Sequence, residues 1–156
     1  MAALSAGVLL WRRAGPDGVE VLLVHPGGPL WAKKHQGAWS IPKGEFDPET
    51  EPGEAAALRE FEEELGIPVP DGTRTPIGET RLKSGKRIVA WAVEGDLDPS
   101  AVVSNTFEMQ WPPRSGRTIE VPEIDEARWA SPAQAADLLN PAQIVFVDRL
   151  LESIGT

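Results

Sequence analysis

Four glutamates crowd the end of one predicted helix: Glu60, Glu62, Glu63 and Glu64, in the run REFEEELG. A helix presents partial negative charge at its C-terminus, so each anion there is disfavoured by roughly 0.3–1 kcal/mol. Glu60 and Glu64, four apart, also repel each other. At about 3.6 residues per turn, Glu60, Glu63 and Glu64 share one face, turned away from the apolar stripe of Leu58, Phe61 and Leu65. Glu62 flanks that stripe on another side, and Arg59 is the one cation in these turns. Acidic runs are commonly solvated faces. Three gathered carboxylates with no lysine between them also have the chemistry of an oxygen-donor set for a hard divalent cation, Mg2+ or Mn2+, of the kind that bridges to phosphate.

The helix that must carry these residues is predicted to begin near Pro52–Gly53 and to end at Gly66, with Pro68 as a stop signal beyond it. Upstream, SAGVLLWRR and VEVLLVHP flank AGPDG, whose Pro-Asp-Gly is a turn signal, and they read as paired strands. The loop HPGGPLWAKKHQGAWSIPKG then interleaves Gly and Pro with His25, Trp31, Lys33, Lys34, His35, Trp39 and Lys43, and AWSI within it reads as a short strand. Downstream, IGETRLKSGKRIVAWAVEGD predicts a hairpin turning at Ser84–Gly85. SNTFEMQWPPRSGR reads as a strand running into a Pro/Arg/Gly loop, and ARWA as a further short strand. SPAQAADLL and NPAQIVFVDRLLESI each open on a cap residue followed by proline, the start of a helix. Strands and helices without a repeated βα unit predict an α+β fold, a mixed sheet with helices packed on it.

Composition bounds the class. A chain of 156 residues is most simply a single domain, 1–156, with enough length to bury a core. The absence of cysteine excludes disulfides, zinc–thiolate sites and cysteine nucleophiles. A net charge of −9 and a pI near 4.7 argue against broad binding to duplex nucleic acid. In MAALSAGVLLWRR the apolar run precedes its arginines, the reverse of a secretory signal, and it is too short to span a bilayer. The expectation is a cytoplasmic protein with no membrane partner.

The acidic run and its flanks resemble a known family. The Nudix, or MutT-like, hydrolases carry a box written Gx5Ex7REUxEExGU, in which U is a bulky aliphatic or aromatic residue. Glu51, Arg59, Glu60, Phe61, Glu63, Glu64, Gly66 and Ile67 stand at their places in it. The opening glycine, Gly44, is separated from Glu51 by the six residues EFDPET, where the pattern has five. The box covers about a sixth of the chain. The resemblance implies a Nudix fold, a mixed β-sheet sandwiched between helices. It implies that Glu60, Glu63 and Glu64 ligate Mg2+ (or Mn2+), with the carbonyl between Lys43 and Gly44 as a further ligand. It implies that Glu51 and Arg59 position loop and helix by salt bridging. The catalytic base is then Glu60, or a glutamate from a later loop acting as ligand or base, for which VPEIDEARW offers Glu123 first and Glu126 second. The implied activity is hydrolysis of a nucleoside diphosphate linked to another moiety, X, by water attack on phosphorus.

AWSIPKG is similar to the Trp-x-x-Pro-Lys-Gly run of the dinucleoside tetraphosphatase branch, so dinucleoside polyphosphates head the expected substrates. Lys43 would meet a distal phosphate, with Lys33, Lys34, Arg114 and Arg117 as further cations. Trp39, Trp31 or Trp111 would stack a base. His25, at a strand end beside Pro26-Gly27-Gly28, would face the site. The alternatives are a nucleoside triphosphate pyrophosphohydrolase and a Nudix-like module that binds nucleotides without hydrolysing them. The resemblance also admits a homodimer.

Overall fold

The computed structural model describes residues 3–16 and 18–155. Asp17 of the predicted Pro-Asp-Gly turn lies outside them. β1 (Leu4–Ala14) and β2 (Gly18–Pro26) are buried without a break over residues 5–11 and 21–25, as strands covered on both faces are. They pair antiparallel from Trp11↔Val21 to Ala14↔Gly18 and then part. Into the gap comes the segment leading to β3 (Lys43–Glu45), which pairs with Ser5 to Gly7 of β1. AWSI is therefore no strand of its own. Trp39 and Ser40 make single bridges to Leu139 and Val24, and Pro42, which has no N–H to donate, only accepts from Val8 N–H at 3.1 Å.

β4 (Arg74–Arg81) and β5 (Arg87–Glu94) form the predicted hairpin around Ser84–Gly85, with Gly85 at φ 95°. β5 runs parallel to β1 from Leu4 to Trp11, a long-range pairing that no local pattern announces. β6 (Thr106–Gln110) and β7 (Thr118–Pro122) make a separate two-stranded ribbon. β7 carries no burial pattern that marks a strand in the sequence, since only one of its five residues is buried. β8 (Ile124–Ala130), longer than ARWA, pairs antiparallel with β2 and closes the sheet order β4-β5-β1-β2-β8.

Alternate residues of β1 divide two cores. Ala6, Val8 and Leu10 face α1 (Gly53–Leu65), which contributes Ala56, Ala57, Phe61 and Leu65. Leu9 and Trp11 share the other core with α2 (Pro132–Leu138) and α3 (Ile144–Ser153), through Ala135, Leu138, Phe146, Val147 and Leu150. The mixed sheet is thus sandwiched between helices, as predicted. Gly66 ends α1 at φ 69°, its N–H donating to the Glu62 carbonyl. Ser131 and Gln134 form a capping box on α2.

Phe61 is fully buried on the side of α1 that packs against the sheet. Phe61→Ala is expected to destabilise the protein by about 3–5 kcal/mol, read as a lower denaturation midpoint with an unchanged slope.

Candidate functional site

β3 places Gly44 directly against α1. A Cβ at Gly44 would run into the carboxylate of Glu60, so any side chain here would push that carboxylate aside, and glycine lets it lie on the backbone. One turn along the helix, Glu64 Oε2 accepts the Lys43 backbone N–H at 2.9 Å. The Lys43–Gly44 segment thus lies under two helix carboxylates.

Arg59 is the hub on the outer side. Its Nε and Nη2 donate to the two oxygens of Glu51, each at 2.8 Å, and Nη1 donates to Glu60 Oε1 at 2.9 Å and Glu63 Oε2 at 3.1 Å. The hydrogen bonds to Arg59 hold the Glu51 carboxyl below its ordinary value. The predicted bridging of Glu51 and Arg59 is present. The extra residue after Gly44 is absorbed between the two anchors. Asp47 folds the loop on itself, its carbonyl accepting from Thr50 and Glu51 N–H and its Oδ1 from Glu49 N–H. Gly44 stays on Glu60, and Glu51 stays on Arg59.

The site is electrostatically unbalanced. Burial lifts Glu60 above its ordinary value against the pull of Arg59, and repulsion from Glu63 and Glu123 adds to the rise. Glu64 is half-buried as a residue, but its carboxyl lies at the enclosed end. Burial pushes it up to about 8, against the Lys43 N–H bond and the Lys43 charge, with Glu123 and Glu60 raising it further. Glu123, at the corner between β7 and β8, is therefore close enough to act on both helix carboxylates. Glu126 instead accepts from Arg128 at 3.2 Å.

A residue absent from the sequence reading sets that corner. Asn105 accepts Glu123 N–H on its carbonyl at 2.8 Å, while its Nδ2 donates to the Glu63 carbonyl at 2.9 Å. Ser104 Oγ accepts Ile124 N–H at 2.9 Å, and Glu123 O accepts Gly27 N–H at 3.1 Å. Asn105 therefore spans from the acidic helix to Glu123, a link that no spacing in the sequence signals. Asn105→Ala keeps the backbone bond to Glu123 but loses the one to the helix, and is expected to loosen the corner, read as faster amide exchange at Glu123 and Ile124.

Among the described residues, no three His, Asp or Glu side chains are arranged to close on one ion. Glu60 and Glu63 turn to Arg59 and Glu64 to Lys43, so they share the predicted face without meeting at one point. Their donor set still fits a hard divalent cation. It is all oxygen, and its carboxylates repel one another in partly enclosed surroundings, which a cation relieves.

Beside these groups lies a cleft of about 210 Å³, lined by Lys43, Glu64 and Glu123 together with Trp31, Trp39 and Leu82. Two substrate-binding expectations are corrected. Trp39 is 0% exposed, edged by His25 and with Arg128 over its ring at 4.8 Å, so it supports the cleft wall and has no free face for a base. His25 is 1% exposed, and both its ring nitrogens bond within the protein, to Asp125 and to the Lys34 carbonyl. The exposed indole is Trp31, at 40%, with the Lys34 ammonium 5.6 Å from its ring centre. Lys34 itself is not part of the cleft lining. Lys33, Trp111, Arg114 and Arg117 are not part of the cleft lining.

No curated protein matches the chain at a significant level. Solved structures do. The chain is similar to a binary complex of C. elegans Ap4A hydrolase at TM-score 0.67 and 19% identity, over 99% of this chain and 98% of that one. It is similar to the Nudix hydrolase RenU of M. smegmatis at 0.55 and 27%, over 98% and 86%. It is also similar to the MutT protein of Methanosarcina mazei Go1 at 0.59 and 19%, over 99% and 96%. The family model described as NUDIX domain matches residues 1–150. With its acidic helix seated on the glycine that opens the box, the chain belongs to the NUDIX domain family, a family of hydrolases acting on phosphoric anhydride bonds.

Proposed function

We propose that the chain is a divalent-metal-dependent pyrophosphohydrolase that cleaves a nucleoside diphosphate linked to X, with dinucleoside polyphosphates as the leading substrates. The observation that carries this reading is one cleft that takes in Lys43, Glu64 and Glu123 together with the exposed ring of Trp31. Mg2+ or Mn2+, held by Glu60, Glu63 and Glu64 with the carbonyl between Lys43 and Gly44, would neutralise pyrophosphate charge and lower the pKa of water. The chain's own groups do the rest. Glu123 takes the proton of the attacking water as oxygen bonds to phosphorus and the bridging P–O bond breaks, with Glu60 as the second choice of base. Arg59 and Glu51 keep helix and loop in register. The Lys43 ammonium meets a distal phosphate, and Trp31 offers a face to a base. The Trp-x-x-Pro-Lys-Gly run supports the dinucleoside substrate, and the C. elegans protein of the same fold is by name an Ap4A hydrolase.

A panel of dinucleoside tetraphosphate, nucleoside triphosphates and ADP-ribose, assayed with Mg2+ and with Mn2+, tests this. The expected products from the first are a nucleoside mono- and triphosphate. Pyrophosphate release from triphosphates alone would reassign the substrate. Calorimetric binding with no turnover of any compound would replace the hydrolase by a binding module.

A further inference from the structure

His25 ends β2 with its ring enclosed. Its Nδ1 lies 2.7 Å from Asp125 Oδ1 on β8, and its Nε2 lies 2.5 Å from the carbonyl oxygen of Lys34. A carboxylate and a peptide carbonyl both accept, and neither has a proton to give. A neutral imidazole carries one N–H and one lone pair, so either tautomer would set a lone pair against a lone pair at one of these contacts. Only the imidazolium donates to both. Its burial is tolerable because Asp125 supplies the opposite charge and both N–H groups are bonded.

The remaining neighbours leave that assignment intact. The His35 ring stacks on His25 at 4.8 Å and the Trp39 ring tilts against it at 5.2 Å, with Arg128 over the Trp39 ring. Glu126 stands opposite His25 in the β2–β8 register and is bonded to Arg128. Among the described residues, Asp125 is thus the one carboxylate bonded to His25 itself. The Lys34 carbonyl belongs to the loop of residues 27–38, which carries Trp31 and with it one wall of the cleft.

We infer that His25, as an imidazolium, is a positioning residue that clasps the 27–38 loop at Lys34 and so sets the cleft wall against which the nucleoside part of a substrate packs. Removing that clasp frees the loop and weakens substrate binding, while the phosphate-cleaving groups stay in place. This rests on the reading that the cleft takes a nucleotide.

The test compares wild type with His25→Gln by NMR on the full 15N-labelled chain at one fixed pH, following the His25 ring nitrogens and the backbone amides of Lys34 and His35, with kcat, KM and the melting temperature measured in parallel. With two histidines in the chain, His35→Gln assigns the signals. The expected result is that both His25 nitrogens carry a proton bonded to its acceptor, that His25→Gln shifts the Lys34 and His35 amides, and that it raises KM roughly tenfold, the size of one charge-assisted hydrogen bond, with kcat and melting temperature changed little. Asp125→Asn, which removes the opposite charge and leaves His25 in place, should move the same amides and KM in the same direction. A single protonated ring nitrogen, unmoved loop amides, or an unchanged KM in both variants overturns the inference. The NMR arm needs no turnover, so an inactive protein with an intact clasp would sink the hydrolase reading and leave the clasp standing.

Discussion

Glu64→Gln is expected to lower turnover roughly 10³-fold, about 4 kcal/mol of transition-state stabilisation, and yet to stabilise the metal-free protein at alkaline pH. Both effects come from one enclosed carboxylate. Its folded value of about 8 stands above the ordinary 4.5, so the protonated form is the one that folding favours. That contribution is fully present below about pH 4.5 and is lost as pH rises through about 8. In EDTA, wild type should therefore unfold more readily at about pH 9 than at about pH 6, by on the order of a few kcal/mol. Gln keeps the acceptor for Lys43 N–H and carries no charge, so the variant should show a flatter profile between those limits. Adding Mg2+ at alkaline pH should raise the melting temperature of wild type well above the shift seen in the variant. Full activity in Glu64→Gln, or a wild-type profile that climbs with pH in EDTA, would contradict this account of the helix.

Gly44→Ala should lower kcat roughly 10²-fold while leaving the fold intact. Glycine is required here by space alone. The added methyl meets Oε2 at the far end of the Glu60 side chain, so it is the carboxylate that gives way and not the backbone. Displacing Glu60 breaks its bond to Arg59 and takes a proposed metal donor out of place. The double variant Gly44→Ala/Glu60→Ala tells this apart from a general disturbance of β3. It should be no slower than Glu60→Ala alone, because both changes remove the same group. Additive losses would mean that Gly44 acts by some other route.

The same geometry answers the question raised by the extra residue in EFDPET. Pattern spacing counts residues, whereas the site depends on where the two ends of the loop are held. Asp47 curls the intervening chain into a compact turn, and Phe46 packs against the α1-side core, so one residue more changes the loop and neither anchor.

What was legible was local. The α1 boundaries, the hairpin at Ser84–Gly85 and the capped start of α2 follow from turn residues, caps and periodicity that act within a few residues, whereas Asn140 caps a 3-10 turn, Pro141–Gln143, that runs on into α3. β3 and the parting of β1 from β2 were not legible, because a strand of three residues is defined only by its distant partner. The sequence offers Trp39 to stack a base and His25 to face the site from a strand end, yet β8 beside β2 and the end of α2 leave both enclosed.

By itself the sequence determined which carboxylates share a helix face and that Arg59 and Glu51 belong with them, since helical register and family spacing are properties of a contiguous run. Only the tertiary structure decided what each carboxylate meets. It enclosed Glu64 against Lys43, laid Glu60 on Gly44, brought Glu123 in through Asn105 and turned His25 toward the Lys34 carbonyl. Burial and pairing between elements far apart in the chain set those outcomes, and neither is written in the spacing of any one segment.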